Sequence, residues 1–178
     1  MHDNNKLMDM LTGYAASHQH PFNIFVHMIG IPTIMIGVLI PLTWLGVELV
    51  GIALNLGHVA MFGFFLFYVT LDKLFAGVFL VFALLLTQIA GYIGEQPLAI
   101  SGTVAAAAFF GGYAAQFIGH AVEKSMPVLI KHPIQANLAA PFFTVVEMVK
   151  ILGLRDDLFH EVQAQIAARR EQDAAPSR

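Results

Sequence analysis

Long apolar stretches dominate the chain between residues 24 and 119, where only four charged residues occur. These are Glu48, Asp72, Lys73 and Glu95. The apolar stretches that they separate are 24–47, 49–71, 74–94 and 96–119. Each exceeds the ~20 residues with which a helix crosses a bilayer, and none shows the alternation typical of a membrane β-barrel. Because backbone groups in lipid must be hydrogen-bonded internally, the pattern predicts four spanning helices joined by short turns.

Basic residues are confined to one side of this predicted bundle. With four spans, the N-terminus, the turn at 72–73 and everything after Gly119 share a side that carries all nine Lys and Arg. These are Lys6, Lys73, Lys124, Lys131, Lys150, Arg155, Arg169, Arg170 and Arg178. Cytoplasmic loops carry the excess of basic residues. We therefore expect both termini in the cytoplasm, in a bacterial inner membrane or, in a eukaryote, the endoplasmic reticulum.

The segments outside the four stretches are shorter or more polar. The opening twenty residues lack the apolar core of a secretory signal, so the first span is expected to be an uncleaved signal-anchor. In the 134–153 segment the apolar stretch, 134–146, has only 13 residues and contains Gln135, Asn137 and Pro141. A run of that length favours an interfacial or re-entrant segment over a span.

The C-terminal tail has the pattern of an amphipathic helix that begins at the N-cap candidate Asp156. Its apolar face consists of Leu158, Phe159, Val162 and Ile166. We expect this helix to lie against the cytoplasmic surface of the bundle or the membrane. The predicted fold is an all-α polytopic membrane helical bundle, with a single membrane-embedded domain over 1–153 and a cytoplasmic tail over 154–178.

Composition supports a membrane protein and excludes several classes of function. Hydrophobic residues make up 57% of the chain, charged residues 12%, and the mean hydropathy is +0.70. A net charge of −3 without a basic cluster argues against nucleic acid as a partner. The absence of cysteine excludes disulfides, iron–sulfur clusters and thiol catalysis. The sequence also lacks a phosphate-binding loop, a Gly-x-Ser-x-Gly elbow and a His-Glu-x-x-His motif.

Histidines occur at the two ends of the bundle that are predicted to share a side. His18 and His27 lie at the start of the first span, and His120 ends the fourth. Asn23 and His27 are four residues apart, and Gln116, His120 and Glu123 follow at spacings of four and three, so each set shares one helix face. The predicted ligands of one metal ion are His18, His27, His120 and Glu123. Such nitrogen and oxygen ligands suit Fe(II) or Zn(II), and the Asn23 and Gln116 amides are expected to orient the rings.

Other polar residues are weaker candidates for this site. His20, His132 and Glu147 lie on the predicted cytoplasmic side and are retained as further candidates. A single histidine at a membrane boundary is often only a hydrogen-bonded interfacial side chain, whereas ionisable groups that cluster inside a bundle are functional by default. His58, within the predicted second span near Asn55, fits a helix–helix hydrogen bond.

Three motifs resemble the membrane 2-hydroxy fatty acid dioxygenases, whose fungal members act in phytosphingosine breakdown in the endoplasmic reticulum. The first is YxxxHxxxxNxxxHxxGIP, from Tyr14 to Pro32, and the second is QFIGHxxExxxP, from Gln116 to Pro127. The third combines Gln135-Ala136, the segment APFF at 140–143 and Glu147. The resemblance extends over residues 10–150, and the intervening spans match in hydrophobicity alone.

The resemblance implies an Fe(II)-dependent enzyme that shortens a 2-hydroxy fatty acid by one carbon, using O₂ and releasing CO₂. It implies that His18, His27 and His120 hold the iron and act in catalysis together with Glu123. The partners would be the 2-hydroxy fatty acid, O₂ and the lipid bilayer, and a homo-oligomer is compatible with the sequence.

Three alternatives remain open at this stage. The chain could be a non-enzymatic membrane or lipid-binding helical bundle, with histidines that merely face the interface. It could bind haem through paired axial histidines. It could also be another metalloenzyme on the same scaffold, such as a zinc hydrolase; a carboxylate-bridged di-iron centre would be short of ligands, since only Glu123 and Glu147 are nearby.

Overall fold

A computed structural model describes residues 2–16, 18–50, 52–131 and 133–174. The helices are α1 (His2–Ala15), α2 (Pro21–Thr43), α3 (Leu56–Val69), α4 (Lys73–Gly94), α5 (Leu98–Glu123), α6 (Val128–Lys131), α7 (Pro133–Ile151) and α8 (Asp156–Ala174). Two short strands, β1 (Gly46–Leu49) and β2 (Ile52–Asn55), pair antiparallel between α2 and α3. Within the described ranges, four helices are long and apolar enough to cross a membrane: α2, α4, α5 and α7. The all-α polytopic bundle is thereby confirmed.

The predicted second span is wrong in its first half. The apolar stretch 49–71 does not form one helix, because Leu49 ends β1, Ile52–Asn55 form β2, and the helix α3 begins only at Leu56. Asn55 starts that helix: its side chain accepts a hydrogen bond from the backbone N–H of His58, while His58 Nδ1 accepts one from the Asn55 backbone. This capping box also replaces the expected helix–helix hydrogen bond of His58. The 14 residues of α3 extend about 21 Å, less than the ~30 Å hydrocarbon core.

The segment predicted to be interfacial or re-entrant forms the continuous helix α7. Pro141 lies inside this helix without ending it. Polar Gln135 and Asn137 are exposed in its first turns, whereas most side chains from Ala139 to Val149 are buried against the bundle. The length of the apolar run did not predict this helix, because a helix needs no unbroken apolar run where neighbouring helices bury its side chains. The length and hydropathy of α7 are those of a candidate span, and the predicted interfacial or re-entrant placement stays a prediction.

Helices α2 and α5 form the most extensive helix pair and position the site. Their backbones come close at small residues. A Cβ built on Gly37 would lie 2.6 Å from the backbone nitrogen of Phe109, and one built on Gly112 would lie 3.0 Å from the carbonyl oxygen of Gly30. Small residues allow this approach between membrane helices. As a result, the start of α2 and the end of α5 lie side by side.

Helix α8 docks on α1 through the apolar face that the sequence predicts, whereas its position at the cytoplasmic surface stays a prediction. Val162 and Ile166 are buried, and Leu158 and Phe159 pack against the same hydrophobic core. The partner surface on α1 is Leu7, Met8 and Leu11, which the polar composition of the opening residues concealed. Polar contacts flank it, between Thr12 and Gln165 and between Asp9 and Arg169. This docking supports α1 at the point where the chain turns towards His18.

Candidate metal centre

Three histidines from separate parts of the sequence meet at one point. His18, His27 and His120 each offer a ligand nitrogen, and these nitrogens all lie within 4.8 Å of one another. The ring centroids are 4.4 Å apart for His18 and His27 and 4.8 Å apart for the other two pairs, and the rings are tilted by 68° to 86°. All three side chains are buried, with at most 4% of their surface exposed. The predicted convergence of both ends of the bundle is therefore present.

The Nδ1 atom of each ring has a hydrogen-bond partner. His18 Nδ1 lies 2.7 Å from the carbonyl oxygen of Tyr14, and His27 Nδ1 lies 2.9 Å from that of Asn23. A carbonyl only accepts, so Nδ1 carries the proton and Nε2 keeps its lone pair. His120 Nδ1 lies 2.9 Å from Ser125 Oγ. Metal-binding histidines in proteins are oriented by the same kind of partner on the second nitrogen.

The buried Nε2 of His18 fits a metal ion. This atom has no hydrogen-bond partner among the described residues, and such an atom is costly to bury unless something else satisfies it. Burial, and then the charge that His27 can carry, lowers the pKa of His18 to about 3, against an opposing hydrogen bond to Tyr14. The imidazole is therefore neutral near pH 7, as a metal ligand must be. Three imidazoles form a donor set that suits Fe(II) or Zn(II).

Aromatic rings fix the plane of His18. Tyr14, one turn earlier, stacks on it with centroids 4.1 Å apart and planes within 2°. Phe143 of α7 packs on both, at 4.4 Å from the Tyr14 ring and 5.2 Å from the His18 ring. The spacing of Tyr14 and His18 places them on one face and is a usable sequence signal. The contact of Phe143 joins distant helices and has no such signal.

Glu123 connects the end of α5 to the start of α2. One carboxylate oxygen accepts a hydrogen bond from the backbone N–H of Gln19 at 2.7 Å, and the other accepts one from Asn23 Nδ2 at 2.5 Å. Asn23 is fully buried, and its backbone carbonyl oxygen accepts a hydrogen bond from His27 Nδ1. Among the described residues, the cluster of possible metal-ligand atoms consists of the three histidines and does not include Glu123. Its role as a fourth ligand stays a prediction, and these contacts favour a positioning role.

The remaining candidates lie around or away from the three rings. Gln116 lines the adjoining cavity, where its side chain faces Gly30. His20 is exposed and caps α2 by accepting a hydrogen bond from the backbone of Phe22. Glu147 is buried on α7 beside Lys150, whose ammonium lies 3.5 Å away. His132 lies outside the described residues.

The positioning role of Glu123 can be tested by a substitution that keeps the shape of its carboxylate. We expect Glu123→Gln to weaken metal affinity about 10- to 100-fold, the usual cost of losing a partner that orients a ligand, while metal still binds stoichiometrically at saturation. Metal titration of the purified variant checks this, with exposed Glu95→Gln as the matched control. Complete loss of metal would instead make Glu123 a direct ligand.

An apolar cavity of about 250 Å³ opens from the histidines into the bundle. Its walls come from α2, α3, α5 and α7, and the histidines close one end. The polar groups near that end are the Tyr113 hydroxyl, which donates to Asn137 at 3.1 Å, and the Gln116 amide. No Lys or Arg is among the described residues of the lining. The cavity therefore suits a molecule with a long apolar part.

Fold and site together define a helical membrane protein with a buried three-histidine site at the mouth of an apolar cavity. The family profile described as 2-hydroxy-palmitic acid dioxygenase Mpo1-like matches residues 4–152, and the chain belongs to this Mpo1-like family. The resemblance drawn from the three motifs is thereby confirmed. Among curated proteins and among solved structures, no significant match was found.

Proposed function

We propose that this protein is an Fe(II)-dependent dioxygenase that performs alpha-oxidation of 2-hydroxy fatty acids. The proposal rests on one observation: in a chain of a dioxygenase family, three buried imidazoles lie together at one end of an apolar cavity. In this reaction a 2-hydroxy acid and O₂ yield the acid that is shorter by one carbon, CO₂ and water. Bound to the three imidazoles, Fe(II) would supply the redox chemistry by which O₂ cleaves the bond between C1 and C2.

The chain's own residues hold the metal and place the substrate. His18, His27 and His120 would bind the ion through Nε2, since their Nδ1 atoms are already hydrogen-bonded. Because the cavity lining described here lacks basic side chains, the negative head group of the acid is drawn to the histidine end, where the ion adds positive charge. The apolar walls take the alkyl chain and exclude water, which strengthens electrostatic interactions at the reacting end.

The membrane setting follows the distribution of basic residues. We propose that both termini and the histidine end face the cytoplasm, since all nine Lys and Arg fall on that side of the predicted bundle. In that orientation, the acid would be held with its alkyl chain towards the membrane interior and its carboxylate near the cytoplasmic surface. A periplasmic label reacting at the start of α1 would contradict it.

The decisive experiment is anaerobic purification with metal quantification, followed by O₂ consumption on 2-hydroxypalmitate. We expect stoichiometric iron, and release of CO₂ with formation of the acid shorter by one carbon. A protein with bound iron that consumes no O₂ with any 2-hydroxy acid would contradict the proposed reaction. A Soret band would identify haem instead, and stoichiometric zinc with hydrolytic activity would favour a zinc enzyme. Absence of metal would favour the non-enzymatic bundle.

A further inference from the structure

The cavity runs along one face of α2. The α2 residues that line it, beyond the ligand, are Ile31, Ile34, Met35, Val38 and Leu39. They follow His27 at the spacing of a single helix face. Leu39 lies twelve residues after His27, so that the lined wall is about 18 Å long at the rise of an α-helix. The cavity is therefore a channel that extends inward from the histidines.

Three helices meet at the far end of this channel. Leu39 of α2 is fully buried there. Phe109 of α5 lies eleven residues before His120, about 16 Å from it along that helix, and the backbones of α5 and α2 touch at Phe109 and Gly37. Helix α3 arrives at the same depth, since a Cβ on Gly57 would lie 3.3 Å from Leu39 Cδ2. Met61, one turn later, is the first α3 side chain in the lining.

The dimensions of the channel favour one unbranched chain. A volume of about 250 Å³ spread over a wall of about 18 Å leaves a narrow passage. An extended chain advances about 1.2 Å per bond, as fully stretched polypeptide does, so about 15 bonds separate the histidines from the floor. Methionine at the floor is unbranched and adaptable in shape, which suits a stop that meets the terminal methyl of the substrate.

We propose that Met61, together with Leu39 and Phe109, sets the length of acyl chain that the site accepts. The inference rests on the proposed function, because it treats the channel as the place of the alkyl chain. Each methylene enclosed by the channel should tighten binding about fourfold. That gain should stop when the chain reaches the floor, which produces a break in a plot of binding against chain length.

The test measures binding of a homologous series of saturated 2-hydroxy acids to iron-loaded protein without O₂. In wild type, we expect the break near a chain that spans about 15 bonds. Met61→Ala should move the break by two to three methylenes towards longer acids, and Met61→Trp should move it towards shorter ones. The control is Phe62→Ala on the same helix, since Phe62 is 54% exposed and points away from the channel. Ratios of variant to wild-type constants cancel the partitioning of the acids into detergent.

The outcomes separate the length-setting role from the proposed reaction. If both Met61 variants keep the break of wild type and of Phe62→Ala, the inference is overturned while the reaction stands. If wild type with bound iron consumes no 2-hydroxy acid of any length, the reaction fails, and a shifted break still supports the length-setting role. Should Met61→Trp fail to fold, Phe109→Ala tests the same floor from α5, and an unmoved break there also counts against the proposal.

Discussion

Replacing either His27 or His120 with alanine will leave the purified protein without stoichiometric metal and without turnover. Each residue supplies one of three imidazoles whose ligand atoms lie within 4.8 Å of one another, from the start of α2 and the end of α5. Losing one leaves two ligands, so we expect a larger loss of affinity than the 10- to 100-fold that an orienting partner costs. Metal quantification and O₂ consumption of each variant check this result.

His20→Ala is the matched control for that experiment. His20 lies close to His18 in sequence, but it is exposed and only caps α2. Its removal should cost about 1 kcal/mol of stability through the lost cap and leave metal content unchanged. Helical circular dichroism must remain at the wild-type level in all three variants. Full metal content in His27→Ala or His120→Ala would refute the assignment of the ligands.

A single methyl group at Gly37 should destabilise the bundle by about 1–3 kcal/mol, the range for overpacking a close contact. A Cβ there would lie 2.6 Å from the nitrogen of Phe109 and 2.9 Å from the carbonyl oxygen of Ala105. Both are backbone atoms that no side-chain rotation can move, so α2 and α5 must separate. Reversible unfolding of Gly37→Ala in mixed micelles measures the loss.

Gly111→Ala is the control for that substitution. A Cβ at Gly111 would meet nothing within 4 Å, and alanine raises helix propensity by about 1 kcal/mol relative to glycine. We therefore expect Gly111→Ala to be neutral or stabilising. Equal stability of the Gly37 and Gly111 variants would contradict the steric clash that the close approach of α2 and α5 at Gly37 predicts.

The convergence of the histidines could be predicted because it depends only on the direction of the chain. His27 and His120 share an end if the chain returns between them, and spacing alone places Asn23 with His27 and Glu123 with His120 on their helix faces. The predicted second span was wrong in extent, yet α3 still carries the chain back towards the histidine end. The error therefore did not affect the site.

Other features depend on contacts that a single sequence does not display. Strand β2 lies within the apolar stretch 49–71, so hydropathy does not separate it from the helix that follows. The buried face of α1 places Leu7, Met8 and Leu11 among polar neighbours. Ser125, the partner of His120 Nδ1, lies just beyond the end of α5, at an offset that helix periodicity does not favour. These three features could be predicted only with knowledge of the surrounding helices.

The docking of α8 on α1 has a consequence for biogenesis. Insertion of α2 and α5 brings together two of the imidazoles, but His18 follows α1. The apolar face of α1 shares a hydrophobic core with Val162 and Ile166 of α8, which is synthesised after the other described helices. We therefore expect the three histidines to reach their final arrangement only after α8 has been synthesised. A nascent chain stalled before α8 would then present an incomplete set of ligands to a metal ion.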